Sequence, residues 1–287
     1  MSDFVRSLTH DLRSAYTSNR AVSREKSKGM SIRVVVDAQA PADFVLQVKG
    51  LLIPETNDVT IQVDRLAEVN LLRALSPQDA VICILGVDTE FATEVANAYA
   101  QDHTPVCLIQ GAGVKAPEPS AMKSRTQGPI SLVQAPTPED IDGKLGQWFV
   151  DTFDSQVVLA QSFAFLRKRT VDQIVRDTAI QNAVIAGMPF GAAADMYAMT
   201  ANEIKMVFSL AGVYGQDMWS HNLYQVAAVV GSSFVFRGLS RLVPAENPYV
   251  RKAANIGIGY GATMALGIVL NNYYKVKKNS KIGSQNR

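Results

Sequence analysis

Apolar residues in the first half of the chain occur in short continuous runs, with helically spaced segments between them. The runs are rich in β-branched residues and cover residues 32–36, 59–63, 80–87, 105–110 and 130–134. The segments that follow them, residues 41–52, 65–75, 88–101 and 137–149, place apolar side chains three or four positions apart. Continuous apolar strands that alternate with helices are typical of a parallel sheet covered on both faces. We therefore predict an α/β fold with a doubly wound, mostly parallel, five-stranded sheet.

The second half has a different pattern, in which charged residues are scarce and the apolar spacing is helical. Residues 178–274 contain 9 Asp, Glu, Lys or Arg in 97 positions, whereas residues 1–177 contain 40 in 177. Three stretches contain none of them: residues 178–194, 218–236 and 253–274. The last has 22 residues, and a helix needs about 20 to cross a bilayer. The pattern predicts an all-α domain that is either a buried bundle or meets lipid.

These changes divide the chain into four segments. Residues 1–29 are predicted to form an amphipathic helix and a basic linker, and residues 30–150 the α/β domain. Residues 151–278 form the hydrophobic helical domain, and residues 279–287 a polar tail. A basic amphipathic helix either packs on protein or lies on an anionic membrane, and we favour packing on protein.

Composition argues against several classes of function. The chain has 28 basic and 26 acidic residues, and its aromatic and basic residues are not interleaved, so we expect no nucleic-acid partner. Cys83 and Cys107 lie in apolar runs and are expected to be buried thiols. Three histidines are too few to favour a histidine metal site. Arg6, Asp11 and Arg13 interrupt the apolar core that a signal peptide needs, so we expect a cytoplasmic or cytoplasm-facing protein.

The predicted strand ends, where ligands of doubly wound sheets bind, lack the usual phosphate-binding motifs. After the first strand the chain reads DAQAPADF, without the glycines and the Lys–Ser/Thr pair of a phosphate loop. Asp37 and Asp88 each follow a strand, and two neighbouring carboxylates can hold Mg²⁺. The favoured interpretation is that each one caps the following helix. No third carboxylate or lysine is placed to complete such a site, so we predict no cofactor and no metal.

The run MPFGAAADMYAMTANEIKMVFSLAGVYGQD, residues 188–217, carries the most distinctive motif of the chain. It resembles the signature of the bacterial domain of unknown function 697. That signature has a proline, a small residue with aspartate, a threonine, an amide, a methionine and a closing Tyr-Gly. The matching residues are Pro189, Ala194, Asp195, Thr200, Asn202, Met206, Tyr214 and Gly215. The family usually has glutamine where this chain has Asn202, and the resemblance extends over residues 171–278.

The resemblance implies a non-enzymatic role, because no enzymatic activity is established for a family commonly attached to GTPase domains or bacterial inner-membrane proteins. The element order of the first domain is similar to that of a small GTPase. Its nucleotide motifs are replaced, with Asp64-Arg-Leu-Ala in place of Asp-x-x-Gly and Gln110-Gly-Ala-Gly in place of Asn-Lys-x-Asp. We therefore expect a GTPase-like domain that neither binds nor hydrolyses nucleotide.

Two features of the helical half are candidate interaction or structural elements. Asp195 is the only charged residue among neighbouring Ala, Met and Tyr. It either caps its helix, accepts a proton or binds a partner protein, and capping is the favoured interpretation. Gly257, Gly261 and Ala265 form a ridge of small residues, which lets helices approach closely in lipid or in a soluble bundle.

Taken together, these patterns favour a non-enzymatic adaptor or regulatory protein with a protein partner, at the cytoplasmic face of the cell membrane. The attachment would be peripheral or re-entrant, because Asn255, Asn271 and Asn272 are polar residues within the last apolar stretch. One alternative is an enzyme or nucleotide sensor that uses Asp37 and Asp88 with a metal. The other is a soluble scaffold whose glycine-ridged helices form a homo-oligomer.

Overall fold

The computed structural model describes residues 29–71, 75–118, 121, 130–188, 192–216 and 248–285. Within these ranges the chain divides into two compact units, one inside Glu25–Arg169 and the other inside Thr170–Arg287. The sequence placed the domain boundary earlier, at residue 150. The predicted helix and linker over residues 1–29 lie outside the described residues except for Gly29, and so does the apolar stretch 218–236.

The first unit contains the predicted parallel sheet. Its strands are β1 (Met30–Val36), β2 (Val59–Arg65), β3 (Ala80–Ile84), β4 (Val106–Gln110) and β5 (Ile130–Gln134). All pairings are parallel, in the order β2-β1-β3-β4-β5. The predicted fold class is thereby confirmed, and strand bounds differ from the predicted runs by no more than a few residues. This order is the flavodoxin-like form of the doubly wound fold.

Position in the sheet explains the composition of the strands. β3 and the first four residues of β4 are completely buried, because helices cover the centre of a doubly wound sheet on both faces. Both cysteines lie there. Burial raises the pKa of the Cys83 thiol from 9.0 to about 12, and burial next to Cys83 raises the pKa of Cys107 as well. The prediction of two buried thiols is therefore confirmed.

Four helices flank or follow the strands of this unit: α1 (Ala42–Leu51), α2 (Thr89–Gln101), α3 (Asp140–Thr152) and α4 (Gln156–Ser162). The helix predicted over residues 65–75 is wrong, because the described part forms one 3₁₀ turn at Leu66–Glu68. Leu66, Val69, Leu71 and Leu75 nevertheless pack on the same core cluster of the sheet. These side chains are therefore packed on the sheet core although the segment is not an α-helix.

Contacts of the segment after α3 explain why the compact unit extends past residue 150. Glu55 donates its backbone N–H to the carbonyl of Ser162 at 2.8 Å. The guanidinium of Arg167 forms an ion pair with the carboxylate of Glu55 at 2.5 Å. These bonds attach α4 and the start of the following helix to the loop after α1.

The second unit consists, in its described part, of the helices α5 (Arg167–Gly187, which begins in the first unit), α6 (Ala192–Val213) and α7 (Pro248–Gln285). Asn182 of α5 contacts Thr263 of α7, and Val175 packs against Gly267, so α5 and α7 are antiparallel. Met199 and Tyr214 of α6 contact α7 at Gly259 and Asn271, so α6 and α7 run in the same direction. α7 continues through most of the predicted polar tail.

Candidate functional site

The first candidate site is the carboxyl end of the neighbouring strands β1 and β3, the topological switch point at which doubly wound folds bind ligands. Asp37 follows β1 and is 7% exposed. One carboxylate oxygen accepts the backbone N–H of Gln39 at 2.8 Å, and the other accepts the backbone N–H of Asp88 at 3.0 Å. Asp37 therefore joins two strand ends, and it is not the helix cap that the sequence predicted.

Asp88 has the predicted role. It is the N-cap of α2, and its carboxylate accepts the backbone N–H of Phe91 at 3.2 Å. Both aspartates of the proposed Mg²⁺ pair thus accept backbone N–H groups of the protein. Among the described residues no group of three or more His, Cys, Asp or Glu could hold a metal ion.

Two glycines let other parts of the protein approach the ends of β3 and β4 closely. A Cβ at Gly86 would lie 2.5 Å from Cγ of Asp37 and 2.7 Å from the backbone nitrogen of Ala40. A Cβ at Gly111, after β4, would lie 3.2 Å from the ring of Phe44. Phe44 is itself buried. A carboxylate and an aromatic ring therefore lie against the strand ends at which this fold commonly binds phosphates. Sequence reasoning missed Gly86 and Gly111, although glycines directly after buried strands indicate close approach.

The second candidate site is a polar cluster inside the helical unit, formed by Asn182, Asn202, Glu203 and Thr263. Asn182 is fully buried and donates from its amide nitrogen to the Thr263 hydroxyl at 2.9 Å. The same nitrogen lies 3.5 Å from a carboxylate oxygen of Glu203. Asn202 donates to the amide oxygen of Asn182 at 3.1 Å. The cluster joins α5, α6 and α7, and buried polar groups of this kind are stable only when they are hydrogen-bonded.

The signature residues of α6 fall into three environments. Thr200 and Met206 are buried, and Asn202 belongs to the polar cluster. Asp195 lies in the first turn of α6 and not at its N-cap position, and its side chain lies outside what the structure describes. A carboxylate in a first turn is favourable near the helix N-terminus. Pro189 lies outside the described residues.

The closing Tyr-Gly of the signature ends α6. Gly215 has a φ of +64°, which glycine adopts without strain, and it donates to the carbonyl of Gly212 at 2.9 Å. Gln216 donates to the carbonyl of Ala211, which completes a Schellman motif. The Tyr214 hydroxyl donates to Asn271 at 2.5 Å, and its ring stacks on Tyr274. Gly215 therefore ends the helix, and Tyr214 attaches its end to α7.

Among the described residues, small residues of α7 other than those of the predicted ridge pack against α5 and α6. A Cβ at Gly259 would lie 3.3 Å from Met199, Ala186 and the carbonyl of Asn182. A Cβ at Gly267 would lie 2.3 Å from a methyl group of Val175. Gly257 and Gly261 meet no atom within 4 Å among the described residues. The inward ridge is therefore Gly259, Thr263 and Gly267, and the predicted glycines lie on the opposite side.

That opposite side of α7 is apolar and open in the described structure. Its exposed apolar side chains are Ile268, Val269 and Val276, whereas Ile256 and Tyr260 face α5 and line a cleft with Val184 and Met188. We call Ile268, Val269 and Val276, with Gly257 and Gly261, the open face of α7. In the part of the chain that the structure describes, one helix is long and apolar enough to cross a membrane, and it is this one, over Tyr249–Ser280. Only 22% of its most apolar window is buried, although a core helix of a soluble protein passes the same length and composition test.

Comparison with known families concerns the helical half. Residues 154–245 match the family model described as a domain of unknown function (DUF697). The matched range includes α4, α5 and α6, and it begins before the range in which the sequence resemblance was recognised. The chain has no match among curated proteins. The resemblance to domain 697 is thereby supported, whereas the similarity of the first unit to a small GTPase rests on sequence alone.

Proposed function

We propose that this protein is a non-enzymatic, membrane-associated adaptor or regulatory protein. In this proposal α7 contacts the cytoplasmic face of the membrane through its open face. The first unit is a GTPase-like domain that binds no nucleotide and binds a protein partner. The observation that carries the proposal is the open face of α7. Large contiguous exposed apolar surfaces mark contacts with membranes or proteins.

The length and the ends of α7 suit contact with lipid. The charge-free stretch 253–274 has 22 residues, which corresponds to about 33 Å of helix, and the hydrocarbon core of a bilayer is about 30 Å thick. Arg251 and Lys252 precede the stretch, and Lys275 and Lys277 follow it. Long basic side chains at such positions reach toward headgroups while their aliphatic parts remain on the apolar surface.

The polar cluster supports the same orientation of α7. Thr263 turns its hydroxyl toward Asn182 of α5 and bonds to the carbonyl of Gly259. Asn271 accepts the hydroxyl of Tyr214 from α6. These polar groups of the apolar stretch are bonded within the protein, as polar side chains of membrane-contacting helices must be.

The hydrogen bonds of Asp37 and the close packing at the strand ends support a domain that does not bind nucleotide. A phosphate loop offers several free backbone N–H groups to the phosphates. At this end of the sheet Asp37 already accepts the N–H groups of Gln39 and Asp88, and Phe44 packs against Gly111. The competing proposal of a metal-dependent enzyme or sensor predicts a rise of the melting temperature with Mg²⁺ and GTP, ATP or NAD. We expect no rise, and a clear rise would favour that alternative.

The membrane proposal is tested by a matched pair of charge substitutions. Val269 on the open face of α7 is 65% exposed, and Val63 on β2 is 67% exposed. We expect the wild-type protein and Val63→Lys to stay with the membrane fraction after washing with high salt. Val269→Lys should move to the soluble fraction, because a lysine at the centre of an apolar contact is costly to bury.

Two outcomes would contradict the proposal. If wild-type protein is soluble without washing, the open face of α7 is covered by protein, which favours the homo-oligomeric scaffold. If Val269→Lys stays with the membrane as well as Val63→Lys does, the open face is not the contact. Retention of wild type through alkaline carbonate would show insertion and not surface contact.

A further inference from the structure

In the described part of the chain β5 is an edge strand of the sheet, and a groove runs beside it. Among the described residues β5 pairs with β4 on one side only. A groove of about 700 Å³ is lined by Ser131, Leu132, Val133 and Gln134 of β5 and by Lys144, Gln147, Trp148, Asp151 and Thr152 of α3. The volume lies within the range of roughly 300–1,000 Å³ that is usual for ligand sites. The groove is distinct from the switch point and from the open face of α7.

The lining shows that the groove follows the strand edge. Consecutive residues of a strand point to opposite faces of the sheet, so a cavity on one face would touch alternate residues. This groove touches four consecutive residues of β5, which places it along the backbone. On the other wall the lining residues of α3 recur at three- and four-residue intervals, as one stripe of the helix does. The groove is thus bounded by an edge strand and a helix.

The backbone of β5 presents hydrogen-bonding groups to this groove. Ala135 donates its N–H to the carbonyl of Gln110 on β4 at 2.9 Å. The direction of backbone groups alternates along a strand, so Leu132 and Gln134 direct their N–H and C=O groups away from β4. Lys144 donates to the outward carbonyl of Gln134. The remaining outward groups match those of another extended backbone.

The two edges of the sheet differ in charge. The edge strand β2 carries Asp64 and Arg65, and charged residues protect sheet edges from pairing with other chains. β5 has the sequence ISLVQ and carries no charged residue. The groove lining contains one basic side chain, Lys144, and one acidic side chain, Asp151, and each is hydrogen-bonded to a neutral group of the protein. The lining therefore has no net charge, and an uncharged segment complements it.

Trp148 contributes a fixed aromatic surface to this groove. It is 5% exposed and packs edge-on against Phe149 and Phe153, with ring centroids 5.0 and 5.7 Å apart. Its indole nitrogen is buried and has no hydrogen-bond partner among the described residues. A surface held in place before binding loses little conformational entropy when a ligand arrives.

We propose that the groove between β5 and α3 binds an extended, uncharged segment of a partner protein, which adds a strand to the sheet. PDZ and PTB domains recognise peptides by the same mode of strand addition. Backbone hydrogen bonds to Leu132 and Gln134 would supply affinity, and the α3 stripe with Trp148 would select side chains. This inference goes beyond the proposed function and does not depend on membrane contact.

The test is selection of peptides from a random phage-displayed library on the full-length protein in detergent micelles. The matched variants are Ser131→Lys, which places a charge at the strand edge, and Ser131→Thr, which keeps a neutral hydroxyl. We expect selected peptides to bind wild type and Ser131→Thr equally and Ser131→Lys at least about tenfold more weakly, a change of about 1.4 kcal/mol. Binding should also shift the NMR signal of the Trp148 indole N–H.

A second pair of variants and a modified peptide test the backbone contact itself. Gln134→Pro removes an outward N–H that β4 does not use, whereas Gln134→Ala keeps it. We expect Gln134→Pro alone to weaken binding, and we expect N-methylation of the peptide backbone to abolish it. Circular dichroism shows whether Ser131→Lys and Gln134→Pro are folded.

Three results would overturn the proposal. One is that no peptide is enriched over the bare matrix. The second is that neither change weakens binding: selected peptides bind Ser131→Lys as strongly as wild type, and N-methylated peptides bind wild type as strongly as unmodified peptides. The third is that wild type is a dimer, binds no peptide, and becomes a monomer on Ser131→Lys, which assigns the edge to a second copy of this chain. Because peptide binding is measured in micelles, its failure is separate from a failure of membrane attachment.

Discussion

The backbone N–H of Asp88 donates to the carboxylate of Asp37 at 3.0 Å, across the ends of the neighbouring strands β3 and β1. A hydrogen bond to an ionised carboxylate is stronger than one between neutral groups. The bond therefore holds together the two strand ends between which a doubly wound fold usually admits its ligand. In this protein the two chain segments that leave β1 and β3 are hydrogen-bonded to each other at the switch point.

The first prediction concerns the glycine that permits this contact. We expect Gly86→Ala to lower the free energy of unfolding by about 1–3 kcal/mol, because its Cβ would lie 2.7 Å from the backbone nitrogen of Ala40, which a rotamer change cannot relieve. Gly50→Ala is the control, since that position in α1 has no described atom within 4 Å. Urea denaturation measures both, and equal stability of the two variants would refute the close packing at Gly86.

The second prediction separates the two sides of α7. Gly267→Ala should destabilise the helical unit, because its Cβ would lie 2.3 Å from Val175. Gly261→Ala should be neutral or raise stability by up to about 1 kcal/mol, the difference in helix propensity between alanine and glycine. Thermal unfolding in mild detergent compares them. Val175→Ala should restore part of the stability of Gly267→Ala, and a purely additive double variant would contradict direct contact.

The third prediction concerns the polar cluster. We expect Asn182→Ala to cost about 1–3 kcal/mol, because the half-buried amide of Asn202 and the buried hydroxyl of Thr263 each lose a hydrogen-bond partner. Asn272→Ala removes the same group from an exposed position of α7 and should change stability by less than about 0.5 kcal/mol. Chemical denaturation in detergent is the measurement. Similar losses in both variants would show that the cluster does not stabilise the unit.

The fourth prediction is a loss of stability at alkaline pH. The pKa of Cys83 is about 12 in the folded protein and 9.0 as an ordinary thiol, so the unfolded chain releases its proton first. Stability from the neutral thiol is fully present below pH 9.0 and falls as pH rises toward about 12. The slope reaches about 1.4 kcal/mol per pH unit for each buried thiol.

The measurement for the fourth prediction is the free energy of unfolding as a function of alkaline pH. The comparison is the double variant Cys83→Ala with Cys107→Ala, which removes both thiols from the sheet. Its stability should fall less steeply than that of wild type over this range. Parallel curves would show that other groups cause the alkaline loss.

Much of the α/β half was predictable because a strand that is buried on both faces has a continuous apolar sequence, which can be recognised locally. The central strand β3 is buried and apolar at every position, and five short runs rich in apolar residues predicted the five strands of the described sheet. The error at residues 65–75 has a physical cause. Leu66, Val69 and Leu75 carry helical spacing, but the same spacing lets an irregular segment cover the sheet core.

The site residues were less predictable, because their roles depend on partners distant in sequence. The carboxylate of Asp37 accepts a hydrogen bond from Asp88, which is 51 residues away in the sequence. Asn182 donates a hydrogen bond to Thr263, which is 81 residues away. Polar residues such as Asn182 inside charge-poor helices were a usable signal that we overlooked. The choice between the two glycine ridges of α7 could not be made from spacing, since both repeat every four residues.

The sequence by itself determined the class of each half, because alternation of apolar runs and depletion of charge are local consequences of how much of each element is buried. It also carried the signature that ends in Tyr214 and Gly215, where a positive φ at a helix end favours glycine. Only the tertiary structure decided which strands are edges, which face of α7 is open, and that Asp37 joins two strands. Those properties arise from contacts between distant segments, and a linear pattern does not specify which surfaces meet.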